Sequence, residues 1–136
     1  MIWLLRILFA VVFVSMVGVT TWASLHQPLG DFARGPTIRD PWVIATLFDA
    51  YWAFIAFYVW VAWKEQSLAA RLLWFPVLMA LGNLAIALYL LRELVGVSAR
   101  GPAEPALRQV FAERRTGRWG LPAGLTAASV AVYLLA

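Results

Sequence analysis

Asp49 is the one ionisable side chain inside a long apolar run, the stretch from Trp42 to Trp63. A carboxyl at such a place can carry a proton, act as a general acid or hold a polar ligand. Placing its charge at the centre of a bilayer costs roughly 2.5–3.5 kcal/mol on insertion scales. A partner, a water-filled cavity or protonation must offset that cost. The alternative is a structural hydrogen-bonding group between helices, and the residue types alone leave both open.

Depth arithmetic places other polar groups near the same level. At a 1.5 Å rise per residue, Asp49 lies roughly 10 Å past Trp42 and Asn83 roughly 12 Å before Leu91. Thr126 lies about 10 Å past Trp119, while Ser15, Thr20 and Thr21 lie about 15, 8 and 6 Å before Leu25. One intramembrane polar layer of Ser15, Thr21, Asp49, Asn83 and Thr126 is therefore expected, with Asp49 and Asn83 as the candidate catalytic pair. Tyr51 and Tyr89 can add hydroxyls to it. Small residues at helical spacing, namely Gly18, Ala53, Gly82, Gly120 and Gly124, mark positions where helices approach closely, within one bundle or between copies. Thr46, Asp49, Ala53 and Ala56 fall along one side of a helix, and Pro76 with Gly82 predicts a kink or a close contact in the third run.

Several chemistries are excluded by what the chain lacks. It has no Cys and a single His, His26, so zinc sites, iron–sulfur clusters and paired-His haem ligation are not available. No metal or cofactor is expected. No nucleophile triad, phosphate loop or carboxylate pair at glycosidase spacing is present.

The elements that must position these groups follow from hydropathy. Hydrophobic residues make up 63% of the chain and charged residues 13%, against about 45–50% and 25% in soluble domains. Four apolar runs, at about 7–25, 42–63, 72–91 and 119–136, predict an all-α integral membrane bundle of four transmembrane helices. They are continuously apolar rather than alternating, which argues against a barrel. Residues 1–136 read as a single transmembrane domain with a basic loop or surface helix at 92–118. Trp3, Trp22, Trp42, Trp63, Trp74 and Trp119 fall near the predicted helix ends, where amphipathic rings favour the headgroup level. The first run follows Arg6 as a signal sequence would, but it is long and lacks a small-residue cleavage site, so a retained helix is expected.

The net charge is +4, and every cation except Lys64 is Arg. The cations lie between apolar runs, a pattern that fits anionic headgroups and not nucleic acid. Glu104 to Arg115 can form a short helix with Leu107, Val110 and Phe111 on one side, presenting Arg108, Arg114 and Arg115 to lipid headgroups. Four spans put Arg6, Lys64 and Arg71 on one side. Arg34, Arg39, Arg92, Arg100, Arg108, Arg114, Arg115 and Arg118 fall on the other. That count predicts cytoplasmic loops one (26–41) and three (92–118) and termini outside, in the inner membrane for a bacterial chain.

Four short segments carry a resemblance. Pro41–Trp42, Ala45 to Asp49 and Trp60 to Glu65 in the second run, with Gly82–Asn83 in the third, resemble a DUF1475-like family of small multi-span membrane proteins of unknown function. The likeness covers roughly residues 5–95. It implies a membrane location and brings no established activity.

The sequence supports three functional readings. The first is a non-enzymatic accessory or structural membrane component, whose partner is the lipid bilayer and either a homo-oligomer or another membrane protein. The second is a membrane-embedded enzyme on a lipid or isoprenoid substrate, with Asp49 as acid and Asn83 orienting. The third is a small proton-linked carrier in which Asp49 titrates.

Overall fold

The computed structural model describes residues 1–115 and 119–135. Arg118, counted above among the loop-three cations, and Ala136, the last residue of the fourth run, lie outside the described residues. All regular structure described is helical. In chain order it comprises α1 (Ile2–His26), α2 (Leu29–Arg34), a 3-10 turn (Thr37–Arg39), α3 (Pro41–Lys64), α4 (Leu68–Leu81), α5 (Asn83–Val95), α6 (Ala103–Phe111) and α7 (Gly120–Leu135).

Local chemistry sets the boundaries. Asp40 caps α3 by accepting hydrogen bonds from the Trp42 and Val43 amides at 2.8 and 3.4 Å, and Pro41 occupies the first turn, where no amide donor is needed. Ser67 caps α4 through the Ala70 amide at 3.4 Å. The carbonyl end of α5 is closed by Arg6, which reaches across from α1 and donates to Leu94 O at 2.8 Å and Val97 O at 2.7 Å.

The third apolar run is not one helix. Gly82 sits at φ +52°, a conformation that L side chains rarely adopt, and there the chain turns back on itself. On one continuous helix Trp74 and Tyr89 would lie roughly 22 Å apart. Their ring centroids are instead 5.0 Å apart, and the Tyr89 hydroxyl donates to Glu65 at 3.0 Å. α4 and α5 therefore form an antiparallel hairpin. Gly82 is needed on steric grounds as well: a Cβ at that position would stand 2.5 Å from Phe54 Cζ. The hairpin tip thus meets α3 at Phe54, about 15 Å above Lys64 and about 20 Å below Pro41.

This reversal changes the topology expected from four spans. Arg6 bonding Leu94 makes α1 antiparallel to α5. The Tyr133 hydroxyl donates to Ala80 O at 2.9 Å, and Leu125 packs on the cluster containing Trp74, so α7 runs alongside and parallel to α4. The start of α1, the turn between α3 and α4, the end of α5, and α6 all gather at one end, called here the basal end. The 26–40 segment lies at the other, distal end, and α7 ends level with the hairpin tip. Residues 64–71 and 92–115 share one end, where four full spans would have separated them. The physical reason is the half-length hairpin, α4 being 14 residues and α5 13, roughly 20 Å each.

Two clusters bury what the fold buries. Val61, Ala70, Trp74, Val77, Leu78, Ala85 and Tyr89 fill the space between α3 and the hairpin. Ile2, Leu94, Val97, Ala106 and Val110 join α1, α5 and α6 at the basal end. α6 thus forms inside the stretch read as a short surface helix, with Val110 and Ala106 turned onto the bundle and Arg108 exposed.

The two longest helices stay largely uncovered. α1, 25 residues, and α3, 24 residues, are long and apolar enough to cross a membrane, with mean hydropathy 2.5 and 1.6 over their most apolar stretches. Only 6% and 0% of those stretches is buried.

Candidate functional site

The densest chemistry lies at the basal end. Lys64 and Glu65 end α3, while Arg92 and Glu93 end α5. The hairpin folds the second pair back onto the first. Lys64 Nζ sits 3.2 Å from Glu93 Oε2 and donates to Gln109 O at 3.1 Å and Glu113 O at 2.8 Å. Arg92 bridges both acids, bonding Glu65 and, at 3.1 Å, Glu93. Arg115 Nη1 closes on Glu93 Oε1 at 2.6 Å. Three cations and two carboxylates thus form one connected knot that joins α3, α5 and the segment after α6.

The knot is largely shut off from solvent. The side chains of Glu65, Lys64 and Glu93 are 0%, 1% and 5% exposed. An aromatic box covers it: Arg92 lies over the Tyr89 and Trp74 rings at 4.6 and 5.4 Å, and Lys64 lies over Trp60 at 5.8 Å. Backbone pairing reinforces it. Arg115 N donates to Lys64 O, Gln66 N donates to Arg115 O, and Arg71 Nε donates to Glu65 O at 2.6 Å. Charges buried this well are tolerable only when paired and hydrogen-bonded, and nearly all are. The exception is Glu65 Oε2, which is buried with no partner among the described residues, as is Trp74 Nε1.

The polar groups expected to form a layer lie elsewhere. Asp49 and Asn83 are both exposed. Ser15 Oγ donates to Val12 O at 3.0 Å and Thr126 Oγ1 to Pro122 O at 2.8 Å, so each hydroxyl is satisfied by its own helix. Thr21 is exposed on α1. Among the described residues no hydrogen bond joins these five positions. Of the small residues, Gly82 alone meets a close neighbour. A Cβ on Gly18, Gly120 or Gly124 would touch nothing within 4 Å, and Ala53 is exposed on α3.

The basic residues divide. Arg115 is tied to Glu93 and Arg114 Nε donates to Trp63 O at 3.0 Å, whereas Arg108 is exposed. Several concavities accompany the described residues, and two of them bear on the polar groups. A polar one of about 260 Å³ beside the knot is lined by Lys64, Glu93, Gln109, Glu113, Arg114 and Arg115. An apolar cleft of about 530 Å³ lies between α1, the hairpin tip and α7, lined by Thr20, Ser24, Leu81, Leu84, Ser129 and Tyr133 among others. Neither is lined by Asp49 or Asn83.

The knot escaped the sequence, in which four spans put Lys64 and Arg92 on opposite sides. The signal available was Gly82 between two charge-bearing dipeptides. Read as a turn and not a kink, it brings them together.

A family model described as "Protein of unknown function (DUF1475)" matches residues 1–113, which include Lys64, Glu65, Arg92 and Glu93. No curated protein and no solved structure matches the chain.

Proposed function

We propose that this chain, which belongs to the DUF1475 family, is a small integral membrane protein acting as a non-enzymatic accessory component, built as a single transmembrane domain. The observation that carries this reading is the pairing of length, apolarity and exposure in α1 and α3. Soluble domains bury such helices in a core; here 6% and 0% of their most apolar stretches is buried. Lipid is the solvent that such surfaces fit.

In this reading α1 and α3 cross the membrane, the α4–α5 hairpin enters from the basal side and returns to it, and α7 enters alongside α4. A non-spanning tip is tolerated at membrane depth where it is buried in protein, as Gly82 is against Phe54, while the adjoining Asn83 stays exposed. The topology also redistributes charge. Arg6, Lys64, Arg71, Arg92, Arg100, Arg108, Arg114 and Arg115 are basal, whereas Arg34 and Arg39 are distal. That asymmetry favours a cytoplasmic basal end, including the N-terminus. Exposed Arg100 and Arg108 then face anionic headgroups.

The knot acts as a clasp. It fixes the free ends of the hairpin to α3 and to the segment after α6. An Asp49-based enzyme or proton carrier draws no support from the exposed, separate positions of Asp49 and Asn83.

The test uses alkaline extraction of membranes followed by single-cysteine labelling, which the absence of native Cys makes clean. Retention in the extracted bilayer is expected, with Ser98→Cys labelled from the cytoplasmic face and Ala33→Cys from the opposite face. Release into the alkaline supernatant would overturn the membrane reading. Inverted labelling would overturn the orientation alone.

A further inference from the structure

The hairpin tip meets α3 at Phe54, and among the described residues the 3-10 turn is the element that packs on the distal half of α3. Phe54, Phe57, Tyr58 and Val61 form the face turned to the hairpin. The opposite face carries Ala45, Asp49, Ala53 and Ala56, all exposed, with Trp42 at 82% and Trp52 at 65% exposure along the same side. Asp49 makes no hydrogen bond or ion pair among the described residues. On an adjoining flank of α3 lies a shallow apolar concavity of about 340 Å³ lined by Leu47, Phe48, Tyr51, Trp52 and Ile55.

We propose that this face of α3 docks one transmembrane helix of another protein, one that carries a Lys or Arg at the depth of Asp49. The inference rests on the membrane reading above and names the partner of the accessory role. Charge complementarity carries it. An acid roughly 12 Å along α3 from Pro41, facing hydrocarbon, is costly until a cation or donor meets it. Among the described residues no cation pairs with it: Arg34 and Arg39 lie in the segment before α3, and the other described cations belong to the basal end. A second copy would set Asp49 against Asp49, a like-charge pair. Alanine one turn to either side of Asp49 lets a partner backbone come close enough for a direct ion pair.

The probe is a polyleucine transmembrane peptide bearing one Arg at the matching depth, with an all-leucine peptide as control. Association with the purified full chain is read by energy transfer in vesicles. The docking face predicts roughly tenfold preference for the Arg peptide over the control, a difference of about 1.4 kcal/mol. Asp49→Asn should lose that preference, and Ala53→Leu should weaken both interactions by crowding the face. Equal binding of the two peptides overturns the proposal. So does α3–α3 cross-linking of Ala45→Cys between two copies, which assigns the face to self-association. A chain that fails to remain in the vesicles after alkaline washing defeats the membrane reading instead.

Discussion

Glu93 and Asp49 are both acids on helices that carry the fold, and they lie in opposite circumstances. Glu93 is 5% exposed and held by Lys64, Arg92 and Arg115. Asp49 is exposed on an apolar face with no partner among the described residues. The basal knot pairs its charges internally except at Glu65 Oε2, whereas Asp49 on the distal half of α3 has no partner among the described residues. A buried acid with three partners belongs to the fold; an uncovered acid in an apolar helix is left open for the interaction proposed above. The hairpin makes the difference, because its tip meets α3 at Phe54.

The sharpest way to break this contrast is to remove one basal acid. Glu93→Ala leaves Lys64 buried without its carboxylate, and unpaired buried charge costs about 3–5 kcal/mol. Thermal unfolding in detergent should show a large loss. Retained stability would mean that the knot is not holding the fold. Gly82→Ala comes next, since the positive φ and the contact with Phe54 together cost about 1–3 kcal/mol. Combining it with Phe54→Ala should recover the steric part and leave the backbone part, which a double-mutant cycle separates. Arg6→Leu removes the donor to Leu94 and Val97 and strips the end of α5 of its cap, at about 1–3 kcal/mol. Amide exchange should rise at the basal ends of α1 and α5 before it rises at α7. The smallest effect is expected at the other acid. Asp49→Asn should leave the unfolding midpoint of the isolated chain unchanged, and a marked loss would show that Asp49 is a structural group after all.

Much of this architecture is legible in the chain, and the failures have identifiable causes. Apolar runs reveal α1 and α3 because a span is a composition signal over many residues. Asp40–Pro41 announces the start of α3, and Leu107, Val110 and Phe111 at helical spacing announce α6. The run from Leu72 to Leu91 misleads because hydropathy records length and not direction. It has the composition of one crossing, and only the backbone freedom of Gly82 turns it into two half-length helices. Once that turn is misread, loops 64–71 and 92–118 fall on opposite sides, and the meeting of Lys64, Glu65, Arg92 and Glu93 becomes invisible. Depth arithmetic for Asp49, Asn83 and Thr126 fails for a related reason. Equal depth says nothing about rotation, and Ser15 and Thr126 turn to carbonyls of their own helices.

The hairpin is therefore the claim on which the rest depends, and sidedness tests it directly. Gln66 follows α3 and Ser98 follows α5, and both are exposed. Gln66→Cys and Ser98→Cys, introduced singly into the cysteine-free chain, would be labelled by a membrane-impermeant maleimide in sealed inside-out and right-side-out vesicles. The hairpin predicts that both react from the same, cytoplasmic face. Reaction from opposite faces would make 68–95 a single crossing and contradict the account.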